Sequence, residues 1–444
     1  MATRNLRLGA ILSGVGTSQN GWREEDVPGD ASINVEWYRA AARAAEAAKF
    51  DFVFMVDSPF ITPESAPHFL NRLEPLTALS AVASATTRIG LIATLTTSFH
   101  EPFNVARAFA SLDLISHGRA GWNVVTTGLE GAAGNYGLSE HIDHSVRYRR
   151  AREHVAVVQG LWDSYEDDAF PRDKERGIFL DKSKQHALGH KGEFFSVAGP
   201  LNISRSKQGQ PVLFQAGSSD EGRDLAASIA EGIYANADSF EEAREFYRDI
   251  KRRTVERGRN PDHLLIFPGI VPIIEATDAE AKRREELENG KLDLKKALVQ
   301  LGRPFNYHDF SKYPLDAPFP ELGELGANGY KGAADRIKRV ARQEKLTLRE
   351  TAWRFAARST DFVGAPSTVA DAIERWFKEG AADGFNVRIS SPRHFTAFVE
   401  QVLPILRARG LFRTEYEHDT LRGHLGLPFP TNRYAAVAGR TAAE

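Results

Sequence analysis

Gly118-Arg119-Ala120-Gly121-Trp122-Asn123-Val124-Val125-Thr126-Thr127 is the stretch whose reading decides the fold. From Ala120 to Thr127 it is apolar, rich in Val and Thr and opened by glycines, which predicts a buried strand. The amphipathic run before it, Asn104 to Ile115, reads as a helix that stops at His117-Gly118. Asn123, Thr126 and Thr127 gather toward the strand's exit. One polar residue there is ordinary turn chemistry. The same pattern on several strands of one chain points to a site.

Working outward, strand-like runs alternate with helical ones. Leu6 to Ser13, Phe52 to Val56, Ile89 to Thr97, Pro211 to Ala216, Gly232 to Asn236, Leu264 to Glu275 and Gly384 to Ile389 read as further strands. The helices read as Asn34 to Lys49, Leu73 to Ala85, Tyr148 to Trp162, Asp220 to Ala230, Phe240 to Arg257, Thr368 to Lys378 and Phe395 to Arg407. The strands are apolar throughout, as parallel strands covered on both faces are. About eight such units favour a closed (β/α)8 barrel over an open doubly wound sheet. The open sheet would carry a Gly-rich phosphate loop, and Gly14-Val15-Gly16 lacks the third glycine.

Three segments break the alternation: about 165–199, about 278–342 and a C-terminal extension, 411–444. Segments of that length in a compact domain are usually lids or interface pieces. With no repeat and no low-complexity linker, a single domain over 1–444 is expected. A net charge of -2 makes no case for nucleic acid or an anionic membrane, and no apolar run approaches a membrane span. The absence of Cys excludes disulfides, thiolate metal sites and a Cys nucleophile, and fits a cytoplasmic protein.

Barrel ligands bind at the C-terminal strand ends. The polar residues there are Asp57, Thr94, Thr96, Thr97, Asn123, Thr126, Thr127, Gln215, Ser218 and Ser219. Gly217-Ser218-Ser219-Asp220-Glu221 joins a strand to a helix. Ser218 and Glu221 have capping-box spacing, and the turn also suits an anion. His144 and Tyr148 share a face if that segment is helical, with Arg147, Arg149 and Arg150 beside them. The arginines read equally as an anion site or a solvated face. His141 and His144 match no strong zinc pattern, so no metal is expected. His308 and Asp309 offer an acid or base on the substrate side, although a surface loop histidine is the commoner outcome.

The opening stretch closely resembles the signature strand of the nitrilotriacetate and dibenzothiophene-sulfone monooxygenase group of bacterial luciferase-like flavin monooxygenases. The likeness continues in order through Lys49 to Asp57-Ser58, Asn135-Tyr136-Gly137, Arg147-Tyr148, Leu161-Trp162-Asp163-Ser164, Gly199-Pro200-Leu201, Gln208-Gly209, Gln215 to Ser219 and Arg409 to Tyr416. It implies a barrel that binds reduced FMN and uses O2 to oxygenate a small organic or xenobiotic substrate, often with C–N, C–S or C–halogen cleavage. It also implies a separate NADH-dependent flavin reductase, and a homodimer or homotetramer is expected. By motif match, Asp57 lies beside the flavin, and His144 and Tyr148 lie toward its phosphate. Ala216, Gly217, Ser218 and Ser219 form the phosphate turn, and Thr94 and Asn123 line the oxygen pocket as the catalytic pair. One departure stands out. Many members carry a histidine before the Trp-Arg pair, and here Gly14 to Arg23 has none. The rival readings are a deazaflavin-dependent dehydrogenase and a non-catalytic flavin-binding relative.

Overall fold

The computed structural model describes residues 5–16, 20–237, 239–356, 360–389 and 391–435. Positions 17–19 of the loop that lacks the histidine lie outside them. So do residues 436–444 of the C-terminal extension.

Eight parallel strands close into a barrel: β1 (Arg7–Ile11), β2 (Phe52–Met55), β3 (Gly90–Thr96), β4 (Ala120–Val125), β5 (Val212–Gln215), β6 (Gly232–Ala235), β7 (Leu265–Ile270) and β8 (Gly384–Arg388). Each strand pairs with its neighbours in sequence, and β8 closes on β1. The expected strands are all present. The expected Leu264 to Glu275 strand ends at Ile270, and Ile273–Ile274 pairs instead with Val363–Gly364 outside the barrel.

Helices cover the outside. Several begin on a proline at their first position, as at Pro75, Pro102, Pro366 and Pro392. Proline suits that position because its missing N–H would go unbonded there. This is why these helices start two or three residues away from the expected Leu73, Asn104, Thr368 and Phe395.

Large rings fill the barrel's interior. Phe52 lies with its ring centroid 5.2 Å from both Phe214 and Phe267. Room for them comes from glycines on neighbouring strands. A Cβ on Gly9 would stand 2.1 Å from the Phe52 ring, and one on Gly232 would stand 2.4 Å from Phe214. In β4 the alternation decides the strand's two faces. Trp122 packs outward against Phe109 and Trp162, while Gly121 and Asn123 point inward. Arg119, just before β4, is buried. Its guanidinium donates to carbonyls of Ala83, Thr86, Ile89 and Ser116, which pins the turn that starts the strand.

The C-terminal extension is not a lid. Leu421–Leu425 forms a short helix whose Leu421 and Leu425, with Leu427, join the interior cluster from the N-terminal end of the strands. Leu421 lies where a Cβ on Gly90 would come within 2.4 Å of it, so the tail stops the lower mouth. Arg413 pairs with buried Asp51, and Arg422 with Glu231. The segment 165–199 packs on the outer face of the helix His144–Trp162. There the Glu153 carboxylate accepts from the backbone N–H groups of Phe194 and Phe195, both at 3.0 Å. The segment from 278 is largely helical, with Asp278–Gly290, Leu294–Gly302, Lys331–Gln343 and Leu348–Ala356. It runs past the expected end at Arg342 because Leu348 and Ala352 complete its own apolar cluster with Leu301, Phe305 and Ile337.

Candidate active site

With the lower mouth stopped, the C-terminal strand ends open into a cavity of about 870 Å³. Its floor carries Thr94 and Asn123, which face each other in the β3–β4 register. Both are buried, at 2% and 3% exposure. The Asn123 Nδ2 donates to Thr94 Oγ1 at 2.9 Å, while Asn123 Oδ1 is buried with no hydrogen-bond partner. An unpaired buried acceptor costs about 1–3 kcal/mol, so this atom awaits a donor.

The other strand-end residues divide into liners and struts. Asp57, Thr96, Thr126, Thr127, Gln215, Ala216, Gly217, Ser218 and Ser219 line the cavity together with His144 and Tyr148. Thr97 does not line it. Its backbone N–H and hydroxyl both donate to the Val125 carbonyl, so it is a strand-end cap. Thr127 adopts φ 47°, a strained region for a β-branched residue. Its hydroxyl donates to Thr96 Oγ1 at 2.7 Å, and its carbonyl accepts from Arg147.

The arginines beside Tyr148 do not serve an anion. Buried Arg147 donates to the carbonyls of Ile142, Thr126, Thr127 and Asn328. Arg149 pairs with Glu193, and Arg150 lies 4.3 Å from the centre of the Phe195 ring. The turn after β5 is built from backbone and hydroxyls. The helix His144–Trp162 starts earlier than expected, capped by Asp143, so His144 and Tyr148 do share a helical face. Ser219, not Ser218, caps the helix Asp220–Ile229, accepting from Gly222 N at 3.1 Å. A Cβ on Gly217 or Gly222 would stand 3.1 Å from the Tyr148 hydroxyl, and one on Gly332 would meet Ser218 Oγ at 2.5 Å. Three helix N-termini therefore meet around a turn held open by glycines. Asp220 turns away to Arg253. Burial pushes the Glu221 carboxyl up, but its own backbone N–H, His144 and Lys331 together hold it below its usual range.

Sequence reasoning missed several liners. Behind the wall, Arg72 pairs with the lining Asp57, whose carboxyl burial pushes up against the pull of that guanidinium. His68, His100, Tyr234, Arg303, Lys331 and Arg388 also face the cavity. An arginine ending a buried strand was a readable signal for Arg388. Tyr234 lies on β6, and the others come from the connections after β2 and β3 or from the 278–356 segment. His308 and Asp309 do not line the cavity; His308 Nε2 bonds the Tyr313 hydroxyl at 3.0 Å, and Asp309 caps a short turn. His141 bonds the Thr127 carbonyl, and among the described residues no cluster suits a metal ion.

The luciferase-like monooxygenase family model matches residues 19–383. The chain belongs to that family. It is a flavin-dependent monooxygenase. It is 46% identical over 440 residues to N-acetyl-S-(2-succino)cysteine monooxygenase of Bacillus subtilis (strain 168), covering 97% of this chain and 99% of the relative. It is 39% identical to nitrilotriacetate monooxygenase component A of Aminobacter aminovorans, covering 98% and 99%. The solved structure of a riboflavin lyase with modified FMN and riboflavin aligns with TM-score 0.84 at 31% identity, covering 96% of this chain and 97% of that one. Among the described residues no helix is long and apolar enough to cross a membrane.

Proposed function

We propose a cytoplasmic two-component oxygenase that takes reduced FMN from a separate NADH-dependent flavin reductase. With O2 it oxygenates a small organic substrate, cleaving a C–N, C–S or C–halogen bond. The carrying observation is the Thr94–Asn123 pair, with its unpartnered Asn123 Oδ1, on the floor of a cavity whose side wall ends in the glycine-lined turn.

The residues fit the cofactor at both ends. Asn123 Oδ1 offers an acceptor to an N–H on a flavin ring edge, and Asp57 lines the same cavity just beyond the end of β2. Ser218, Ser219, Tyr148 and the helix N-termini suit a single phosphate, and among the described residues no second anion turn of this kind stands beside them for an adenylate. When bound, reduced flavin supplies the reactivity toward O2. The protein's own work is positional. Thr94 accepts from Asn123 and keeps its hydroxyl hydrogen free to donate, the Arg72–Asp57 pair fixes a charge at the rim, and the 278–356 helices wall off water.

Titration with FMN and FAD tests the cofactor choice. FMN is expected to bind at least about tenfold tighter, and equal affinity contradicts the single-phosphate reading. A reductase-coupled screen of amino acids, thioethers, sulfones and halogenated phenols tests the reaction class.

A further inference from the structure

Most charged groups lining the cavity have an opposite partner. Asp57 has Arg72, Glu288 has Arg284 at 3.0 Å, and Lys331 has Glu221 at 3.3 Å. Two guanidiniums do not. Arg388, at the end of β8, donates to the neutral Tyr234 hydroxyl and to Asn236 Oδ1 at 3.3 Å. Arg303, which follows the helix Leu294–Gly302, stands 4.9 Å from the Phe69 ring centre and 5.5 Å from that of Tyr330. Its Nε is buried with no acceptor. Among the described residues neither guanidinium has a carboxylate within ion-pair distance.

Both line one cavity with a third unpartnered group. His68 lines the same cavity, and its buried Nδ1 has no partner. Burial, then Arg72, Arg303 and Arg388, push its imidazole down to about 3, so it stays neutral and cancels none of their charge. Arginine does not shed its proton, so two uncompensated cations remain in a half-buried space. A planar guanidinium fork matches a carboxylate in two-point geometry, and that of Arg303 has two aromatic rings beside it.

We propose that Arg303 and Arg388, with the unpartnered Nδ1 of His68 on the wall of the same cavity, form a subsite for the carboxylates of the organic substrate, which is therefore an organic acid. Arg303 sets specificity from the inserted segment, and Arg388 from the barrel itself. This rests on the reading of the cavity as the oxygenase site, but the anion is held by residues separate from the phosphate turn.

The test is calorimetric binding of propane-1,2,3-tricarboxylate and its uncharged trimethyl ester to the full chain, with and without oxidised FMN. The acid is expected to bind saturably, and the ester about tenfold or more weaker. Arg303→Gln and Arg388→Gln should each weaken the acid about tenfold or more, with FMN affinity and melting temperature near parental. Arg303→Lys should recover part of the loss. Should Arg388→Gln fail to fold, the Arg303 pair of variants decides. Equal binding of acid and ester, parental binding in Arg303→Gln, or no saturable acid binding overturns the subsite. Loss of FMN binding in the parent with the arginine-dependent acid binding intact would instead overturn the flavin assignment and leave the subsite standing.

Discussion

The Tyr148 hydroxyl stands over Gly217 and Gly222, where any added Cβ would lie 3.1 Å from it. Removing that hydroxyl alone leaves the ring against His144, 4.9 Å away between centroids. Tyr148→Phe is therefore expected to keep the melting temperature and weaken FMN binding about tenfold, the worth of one hydrogen bond to a charged group. Unchanged affinity in a fluorescence titration would move the phosphate elsewhere. Thr94, Asn123 and Gln215 were legible in the sequence because a polar residue at the end of an apolar strand has few places to point except the barrel mouth. His68, Arg72 and Arg303 were not. Their meaning depends on partners brought together by the fold, such as Arg72 with Asp57 and Arg303 with Tyr330. The capping serine was misread by one residue because Ser218 and Ser219 both precede acidic residues at plausible spacing, and only backbone geometry distinguishes them.

At the scale of elements, the C-terminal extension and the 278–356 segment occupy opposite ends of the barrel. The extension's polar spacing gave no sign that Leu421, Leu425 and Leu427 meet the strands, because glycines supply the matching hollow. Leu421 is fully buried, and Leu421→Ala is expected to cost about 2–5 kcal/mol in urea denaturation while FMN affinity holds. A large loss of affinity at retained stability would contradict the plug. His424 in the same helix bonds the Arg88 carbonyl at 2.7 Å. Burial first, then Arg413, push its imidazole down to about 3, against the pull of that carbonyl. The unfolded chain thus takes up this proton at higher pH than the folded one. The neutral histidine's contribution is complete above the ordinary histidine value, about 6.5, and is lost as pH falls toward 3. The stability gap between the parent and His424→Gln is expected to narrow by about 2 kcal/mol from pH 7.5 to pH 5. A gap independent of pH would contradict the buried neutral imidazole.

Over the whole molecule, the alternation of apolar strands with helices was enough to read the barrel, because each buried strand is bounded by glycine or proline punctuation. The helical character of the 278–356 segment was harder to see. Its charged helices bury only a narrow stripe against one another, so Pro and Gly between them dominate the pattern. The molecule's logic is a barrel stopped below by its own tail and covered above by an insertion, which leaves the Thr94–Asn123 floor as the dry polar end. The central claim is that this floor works on oxygen and is not a strand cap. Asn123→Ala tests it most directly, through product formed per NADH consumed in the reductase-coupled assay with the substrate the screen identifies. The account predicts a folded protein that retains most of its FMN affinity, with product formation reduced ~10²–10³-fold and hydrogen peroxide released in its place. A strand cap would lose about 1 kcal/mol of stability and keep its coupling, and coupled turnover equal to the parent's would contradict the account.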